Sequence, residues 1–188
     1  MSEFTLHTLD TAPQASRKLL LQTEKQMGFI PNLFSVMAES PAVLETYQTL
    51  IKLFDKTSFT VTEQQLVLLS ISRLRNCSYC LAAHGTIAKN KKVPAEIIHA
   101  VYYNQALTDI KLEALRTFTC AVLQADGYVD QKKLQAFYKV GYQQQHVLEL
   151  ILGISFKTLS NYINHINDTP IDAEFLAGIP DNEHVFAA

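Results

Sequence analysis

The sequence predicts an all-helical, single-domain protein. Three observations carry this: apolar residues recur at three- and four-residue spacing along nearly the whole chain, no segment sustains the strict alternation of a half-buried strand, and no linker, repeat or low-complexity stretch divides the 188 residues. Residues 1–188 therefore read as one helical domain, with a core over about 40–170 and a tail over 171–188 that serves as an arm or a partner contact. At 48% hydrophobic and 18% charged residues, the composition supports a substantial core and is the opposite of a disordered chain.

The elements follow from their start and stop residues. Arg17–Met27 forms a first helix, ended by Gly28. Ser40 followed by Pro41 is a cap and a first-turn proline, opening a helix that runs to about Asp55. Thr62-Glu63-Gln64-Gln65 fits a capping box, and its helix continues through Leu66, Leu69 and Leu74. Asn76 is a good N-cap residue for a helix carrying Cys77, Cys80, His84 and Ile87, with Lys89 to Lys92 at its end. Pro94 opens Ala95–Tyr103. Asp109 caps Ile110–Leu123, where Leu112, Leu115, Phe118 and Val122 make an apolar stripe. Asp126-Gly127 is a turn, and Asp130 starts a short helix to Tyr138. The last long helix aligns Leu148, Ile151, Leu152, Ser155, Leu159, Tyr162 and Ile166 on one face, and Pro170 stops it.

Charge and targeting signals narrow the function classes. A net charge of −2 and a pI near 6.3 leave no basic footprint for nucleic acid, and Lys91-Lys92 reads as a solvated helix end. The first residues lack the charged start and apolar run of a signal peptide. Leu66–Ile71 and Val147–Phe156 are too short or interrupted to span a bilayer. The expectation is a cytoplasmic protein without membrane contact, in which the sequons at Asn76 and Asn167 are chance matches. In a reducing compartment, three cysteines point to catalysis, metal binding or plain burial rather than structural staples.

Spacing makes Cys77, Cys80 and His84 a candidate site. On one helix they stand at i, i+3 and i+7, within about two turns of the same face. The cysteines occupy the first turn, where unpaired N–H groups and the helix dipole favour a thiolate. His84 is one turn from Cys80 and placed to take its proton. A second cysteine beside the first resolves a sulfenic acid or mixed disulfide internally. Peroxide reduction and thiol–disulfide exchange both use these parts. Two other readings stay open: a zinc half-site with His84 as third ligand and His99 as a recruit, or inert burial, as expected for Cys120. A haem attachment is excluded because Leu81, not histidine, follows the second cysteine.

The segment Arg75-Asn76-Cys77-Ser78-Tyr79-Cys80-Leu81-Ala82-Ala83-His84 resembles the signature of the alkylhydroperoxidase D-like branch of the carboxymuconolactone decarboxylase family. Gly28 to Phe34 with Ser40-Pro41, and Tyr142 to Pro170 with Asn161, Asn164 and Thr169, are similar to the opening and closing segments of its peroxidase-related subgroup. The resemblance implies a helical bundle of the alkylhydroperoxidase D-like type, with the Cys-x-x-Cys pair at a helix N-terminus. It implies assembly as a trimer or hexamer, and reduction of hydroperoxides or protein disulfides. Cys80 would attack and become sulfenic acid, Cys77 would resolve it and donate a proton, and His84 would join a proton relay. No organic cofactor and no metal is implied, and electrons would come from a thiol donor or a peroxiredoxin partner.

The sequence departs from the family pattern in the relay. The usual glutamate twelve residues before the first cysteine is Gln65 here, and Tyr79 stands where some members carry a second histidine. Across a tight turn Gln65 returns beside His84 to Ile87, where a carboxylate would stabilise the protonated ring and an amide only accepts a neutral hydrogen bond. A competing role for Gln65 is the third position of the Thr62 capping box. Glu63, Glu96 and Glu149 are possible substitute carboxylates. His99, His146, His165 and His184 lack partners at ligand spacing. Tyr102, Tyr103, Phe118 and Phe137 are core or subunit-contact aromatics that could also line a hydroperoxide pocket. Alternatives to the antioxidant enzyme are a redox sensor or oligomeric scaffold with little turnover, and a lactone decarboxylase, which would leave the cysteine pair unused.

Overall fold

Prolines, caps and left-handed residues cut the chain into nine helices in a computed structural model that describes residues 4–180. No strand occurs among those residues. Helix α1 (Gln14–Met27) starts three residues earlier than expected, directly after Pro13, and ends at Gly28, whose φ of 85° is the left-handed cap glycine tolerates best. Helix α2 (Asn32–Met37) was not foreseen; six residues are too few to show a period, and it hangs from Pro31. Helix α3 (Pro41–Phe54) follows Ser40 as expected.

The capping box of α4 (Val61–Leu74) lies two residues upstream of the expected one. Thr60 Oγ1 accepts from the Glu63 N–H at 3.2 Å, and Glu63 Oε2 accepts from the Thr60 N–H at 2.8 Å. Both threonines fit the pattern, but Thr60 closes the box on a carboxylate in the electropositive first turn, whereas Thr62 would close it on an amide. Gln65 is thereby freed of any capping role.

Every residue of α4 from Glu63 to Ser72 is buried, because α5 (Ser78–Asn90), α6 (Ala95–Tyr102), α7 (Ile110–Gln124) and α9 (Gln144–Asn167) pack around it. Asp109 and Asp130 cap α7 and α8 (Gln131–Lys139) as the sequence indicates. One apolar core joins Leu20, Leu44, Leu66, Leu69, Leu81, Leu115, Leu150 and Phe156.

In helix α9 the face that periodicity aligns is not the buried one. Leu148, Ile151, Tyr162 and Ile166 are exposed, Leu148 at 68% and Ile166 at 75%. The inward face is Leu150, Gly153, Phe156, Lys157, Ser160, Asn161 and Asn164. The helix is apolar on both sides, so spacing alone does not choose between them, and the side with polar residues is the one the site uses.

The expected tail is partly structural. Residues 173–178 form a 3₁₀ turn that lies along α5, while 181–188 fall outside the described residues. A Cβ at Gly178 would collide with the Ala82 carbonyl and meet the Thr86 nitrogen at 2.5 Å, so only glycine allows this approach. Thr86 Oγ1 donates to the Phe175 carbonyl at 3.1 Å, and Lys89 donates to that of Ala177. Asp172 anchors the segment, accepting from the Asn32 N–H at 3.0 Å and the Tyr79 hydroxyl at 2.6 Å.

Candidate active site at the amino end of the fifth helix

The α4–α5 turn sets the position of both cysteines. Asn76 is not the N-cap: it takes a left-handed φ of 50°, which asparagine tolerates, and reverses the chain after α4. The Cys77 N–H reaches the Ser72 carbonyl at 3.0 Å, satisfying the end of α4. Cys77 is then the extended N-cap of α5, its Sγ accepting from the Cys80 N–H at 3.4 Å. Cys77 and Cys80 are joined as a disulfide with Cα atoms 5.3 Å apart.

Two amides of α9 converge on the sulfurs. Asn161 Nδ2 lies 3.0 Å and Asn164 Nδ2 3.3 Å from Cys80 Sγ, and Asn164 also makes a long 3.9 Å approach to Cys77 Sγ. Both asparagines are buried, and their Oδ1 atoms have no hydrogen-bond partner. N–H groups aimed at a sulfur stabilise it most when it is anionic, so they favour Cys80 as the thiolate once the disulfide opens.

One turn further along α5, His84 borders a cavity of about 550 Å³. Its walls include Phe34, Tyr47, Phe54, Phe156 and Phe175, with Lys52, Asp55 and Lys91 among its polar lining. Burial, and then the cationic Lys157 and Lys91, hold the His84 pKa well below its ordinary value, so the ring is neutral at pH 7. Gln65 and Ile87 line the same cavity, as the antiparallel turn predicts, yet Gln65 Oε1 and His84 Nδ1 are both buried without partners.

Lys157 lies on the α9 face that carries Asn161, one turn away. It is 1% exposed, no carboxylate pairs with it among the described residues, and burial lowers its pKa to about 7. Sequence reasoning missed Lys157 altogether, and took Asn161 and Asn164 only as part of a resemblance. A lysine and two asparagines interrupting an apolar helix at i, i+4 and i+7 was the available signal.

The remaining expected residues are elsewhere. The Tyr79 ring lines the cavity, but its hydroxyl donates to Asp172 and accepts from the Leu33 N–H at 3.2 Å, turned away from any relay. Glu63 is held by Thr60, Tyr142 and Lys111, and Glu149 by Ser58 and Gln145. Glu96 and His99 border a separate pocket beside α6. His146 caps α9 by accepting from the Gln143 N–H at 2.9 Å, and His165 lies in a cleft beside Cys77. His184 is outside the described residues. Tyr102, Phe118 and Phe137 are buried and Tyr103 half-buried, and none of the four lines the cavity. Cys120 is half-buried, its thiol pKa raised by burial. No cluster of three His, Cys, Asp or Glu groups arranged for a metal ion occurs among the described residues, and none of their helices is long and apolar enough to cross a membrane.

Residues 40–128, which include the whole α4–α5 turn and both cysteines, match the carboxymuconolactone decarboxylase family. This match spans a little under half of the chain. No curated protein matches it in sequence. Its fold is that of the alkylhydroperoxidase AhpD core seen in a peroxidase-related protein from Ralstonia eutropha JMP134, with a TM-score of 0.83 at 21% identity over 96% of this chain and 98% of that one. A peroxidase-related protein from Silicibacter sp. TM1040 superposes with a TM-score of 0.79 at 16% identity over 93% and 95% of the two chains. The debrominase Bmp8, in its C82A form with 2,3,4-tribromopyrrole, does so at 0.79 and 19% identity over 95% and 96%. At such identities these likenesses speak for the fold. The matched segment contains both cysteines; the amide clamp, neutral histidine and buried lysine are read from this chain.

Proposed function

We propose that this protein, similar over residues 40–128 to the carboxymuconolactone decarboxylase family, is a thiol-dependent reductase of small organic hydroperoxides. The supporting observation is the pair of α9 amide donors on Cys80 Sγ, one helical turn before a neutral histidine that borders an apolar cavity. The Cys80 thiolate attacks the terminal oxygen of ROOH. The O–O bond breaks, ROH leaves with a proton, and Cys80 becomes sulfenic acid. The Cys77 sulfur then displaces that hydroxyl as water and forms the disulfide. His84 accepts the thiol proton and returns it to the leaving oxygen. Its surroundings keep the ring neutral at rest and disfavour the imidazolium it becomes on accepting the proton, and Gln65 offers no carboxylate to offset this. Two electrons from an external thiol restore the pair.

The test is hydroperoxide consumption with a dithiol reductant, comparing wild type with Cys80→Ser and small with bulky aromatic hydroperoxides. Loss of turnover in the variant and a preference for apolar substrates are expected. Equal turnover by the two proteins sinks the proposal.

Reductive dehalogenation is a second reading, favoured by the aromatic walls and the likeness in fold to a debrominase. There, two thiols become the disulfide while a ring carbon exchanges bromine for hydrogen, with release of bromide. Bromide release from bromopyrroles separates the two. A sensor or scaffold with little turnover predicts oxidation without sustained consumption, and a lactone decarboxylase predicts activity in Cys80→Ser. Self-association into a trimer or hexamer is part of the proposal. What supports it is the exposed apolar stripe of Leu148, Ile151, Tyr162 and Ile166, which a second copy would cover. Sedimentation of wild type against Ile151→Glu and Ile166→Glu checks it.

A further inference from the structure

Among the described residues five buried side-chain polar atoms lack a partner; Asn161 Oδ1 belongs to neither of two spaces near the disulfide, and the other four belong to residues that line one or the other. Gln65 Oε1 and His84 Nδ1 border the apolar cavity. Arg75 Nε and Asn164 Oδ1 border a different space, a polar cleft of about 380 Å³ whose lining includes Cys77 but not Cys80. An orphaned buried donor or acceptor is destabilising until a partner meets it. Arg75 and Asn164 thus bring an unfilled donor and an unfilled acceptor to the cleft that Cys77 lines. Asn164 is 4% exposed, so solvent offers its oxygen little. His165 adds a second potential cation and Asp168 one carboxylate to the cleft.

We propose that this cleft binds the electron donor, and that the donor is a small cysteinyl peptide thiol carrying a carboxylate. The assignment rests on the reductase reading above. A peptide supplies what both orphans need: an amide N–H for Asn164 Oδ1 and a carbonyl or carboxylate oxygen for Arg75. The peptide thiolate attacks Cys77 Sγ, the Cys77–Cys80 bond breaks, and Cys80 leaves as a thiolate received by the Asn161 and Asn164 amides. A second peptide thiolate attacks the peptide sulfur of the mixed disulfide and releases the Cys77 thiolate. Two peptide thiols become one peptide disulfide, and their two protons end on the enzyme's sulfurs or on nearby bases. The donor cleft and the apolar cavity are thus separate spaces: the cavity is bordered by His84 and by neither cysteine, and the cleft by Cys77.

The test uses the oxidised full-length protein and no peroxide, so it is independent of whether hydroperoxides are the substrate. Disulfide reduction is timed with glutathione, N-acetylcysteine amide and 2-mercaptoethanol at equal thiolate concentration, in wild type and in Arg75→Met. Wild type should prefer glutathione over mercaptoethanol by about tenfold or more, with the uncharged amide between them, and Arg75→Met should lose most of that preference. Mass spectrometry of Cys80→Ser treated with oxidised glutathione should find the adduct on Cys77. No preference for glutathione, a preference unchanged in Arg75→Met, or failure of Cys77 to accept glutathione in Cys80→Ser would each overturn the proposal.

Discussion

Replacing Lys157 with methionine removes a charge from the interior while keeping an unbranched side chain of similar length. Lys157 is 1% exposed, and burial takes its pKa from 10.5 to about 7. Above pH 10.5 the amine is neutral in folded and unfolded chains alike and has no effect. Between pH 10.5 and 7 the unfolded chain carries a proton that the folded one refuses, so stability falls as pH falls. Below pH 7 the folded protein must bury the ammonium, and the whole penalty applies. At about 1.36 kcal/mol per pH unit, the ceiling over this window is about 5 kcal/mol. The methionine variant should therefore be more stable than wild type by about 5 kcal/mol at pH 6, about 3 at pH 8 and about 1 at pH 9.5. Urea unfolding of both oxidised proteins at these three values gives the comparison directly. A stability difference that does not change with pH, or a wild type more stable than the variant at pH 6, would refute the reasoning and require a counter-charge for the lysine.

Three further outcomes are expected. Asn161→Ala removes the 3.0 Å donor to Cys80, and a hydrogen bond to a charged group contributes about 1.5–3 kcal/mol, so the Cys80 thiol pKa should rise by about one to two units in a thiolate absorbance titration. Gln65→Glu places a carboxylate in the cavity that His84 borders; it should raise the pKa of the ring and the turnover near neutral pH, and an unchanged pH–rate profile would remove Gln65 from the relay. Gly178→Val forces a side chain against Ala82 and Thr86 and should lift the 3₁₀ turn from α5, lowering Tm by several degrees and raising amide exchange along α5; unaltered exchange would show that the contact is dispensable.

The sequence was most legible where a local signal met no competitor. Pro41, Asp109 and Asp130 start helices where expected, and Gly28 ends one. The antiparallel turn that returns Gln65 beside His84 followed from residue spacing, and both line one cavity. Legibility failed where two local solutions were equally good. Thr60 and Thr62 both open a capping box, and only the charge on Glu63 separates them. Asn76 and Cys77 can both cap, but a chain reversing from α4 needs a left-handed residue first, and asparagine accepts that role. Helix α9 could not be oriented from periodicity because leucines and isoleucines lie on both sides. What turns it is the partnership of Asn161 and Asn164 with a site about eighty residues earlier, a contact no window of sequence contains.

That separation has a consequence for how the protein is made. The cysteine pair leaves the ribosome with α5, but its amide donors arrive with residues 161 and 164, and Asp172, which holds Tyr79, comes later still. During this interval Cys77 and Cys80 sit in an incomplete shell, and the free thiol of Cys120 joins the nascent chain once α7 has emerged. Nascent chains are then open to mispaired disulfides that the finished molecule does not permit. Synthesis under oxidising conditions should trap Cys120 with one of the pair, and the yield of active protein should depend on thiol availability during translation rather than after it.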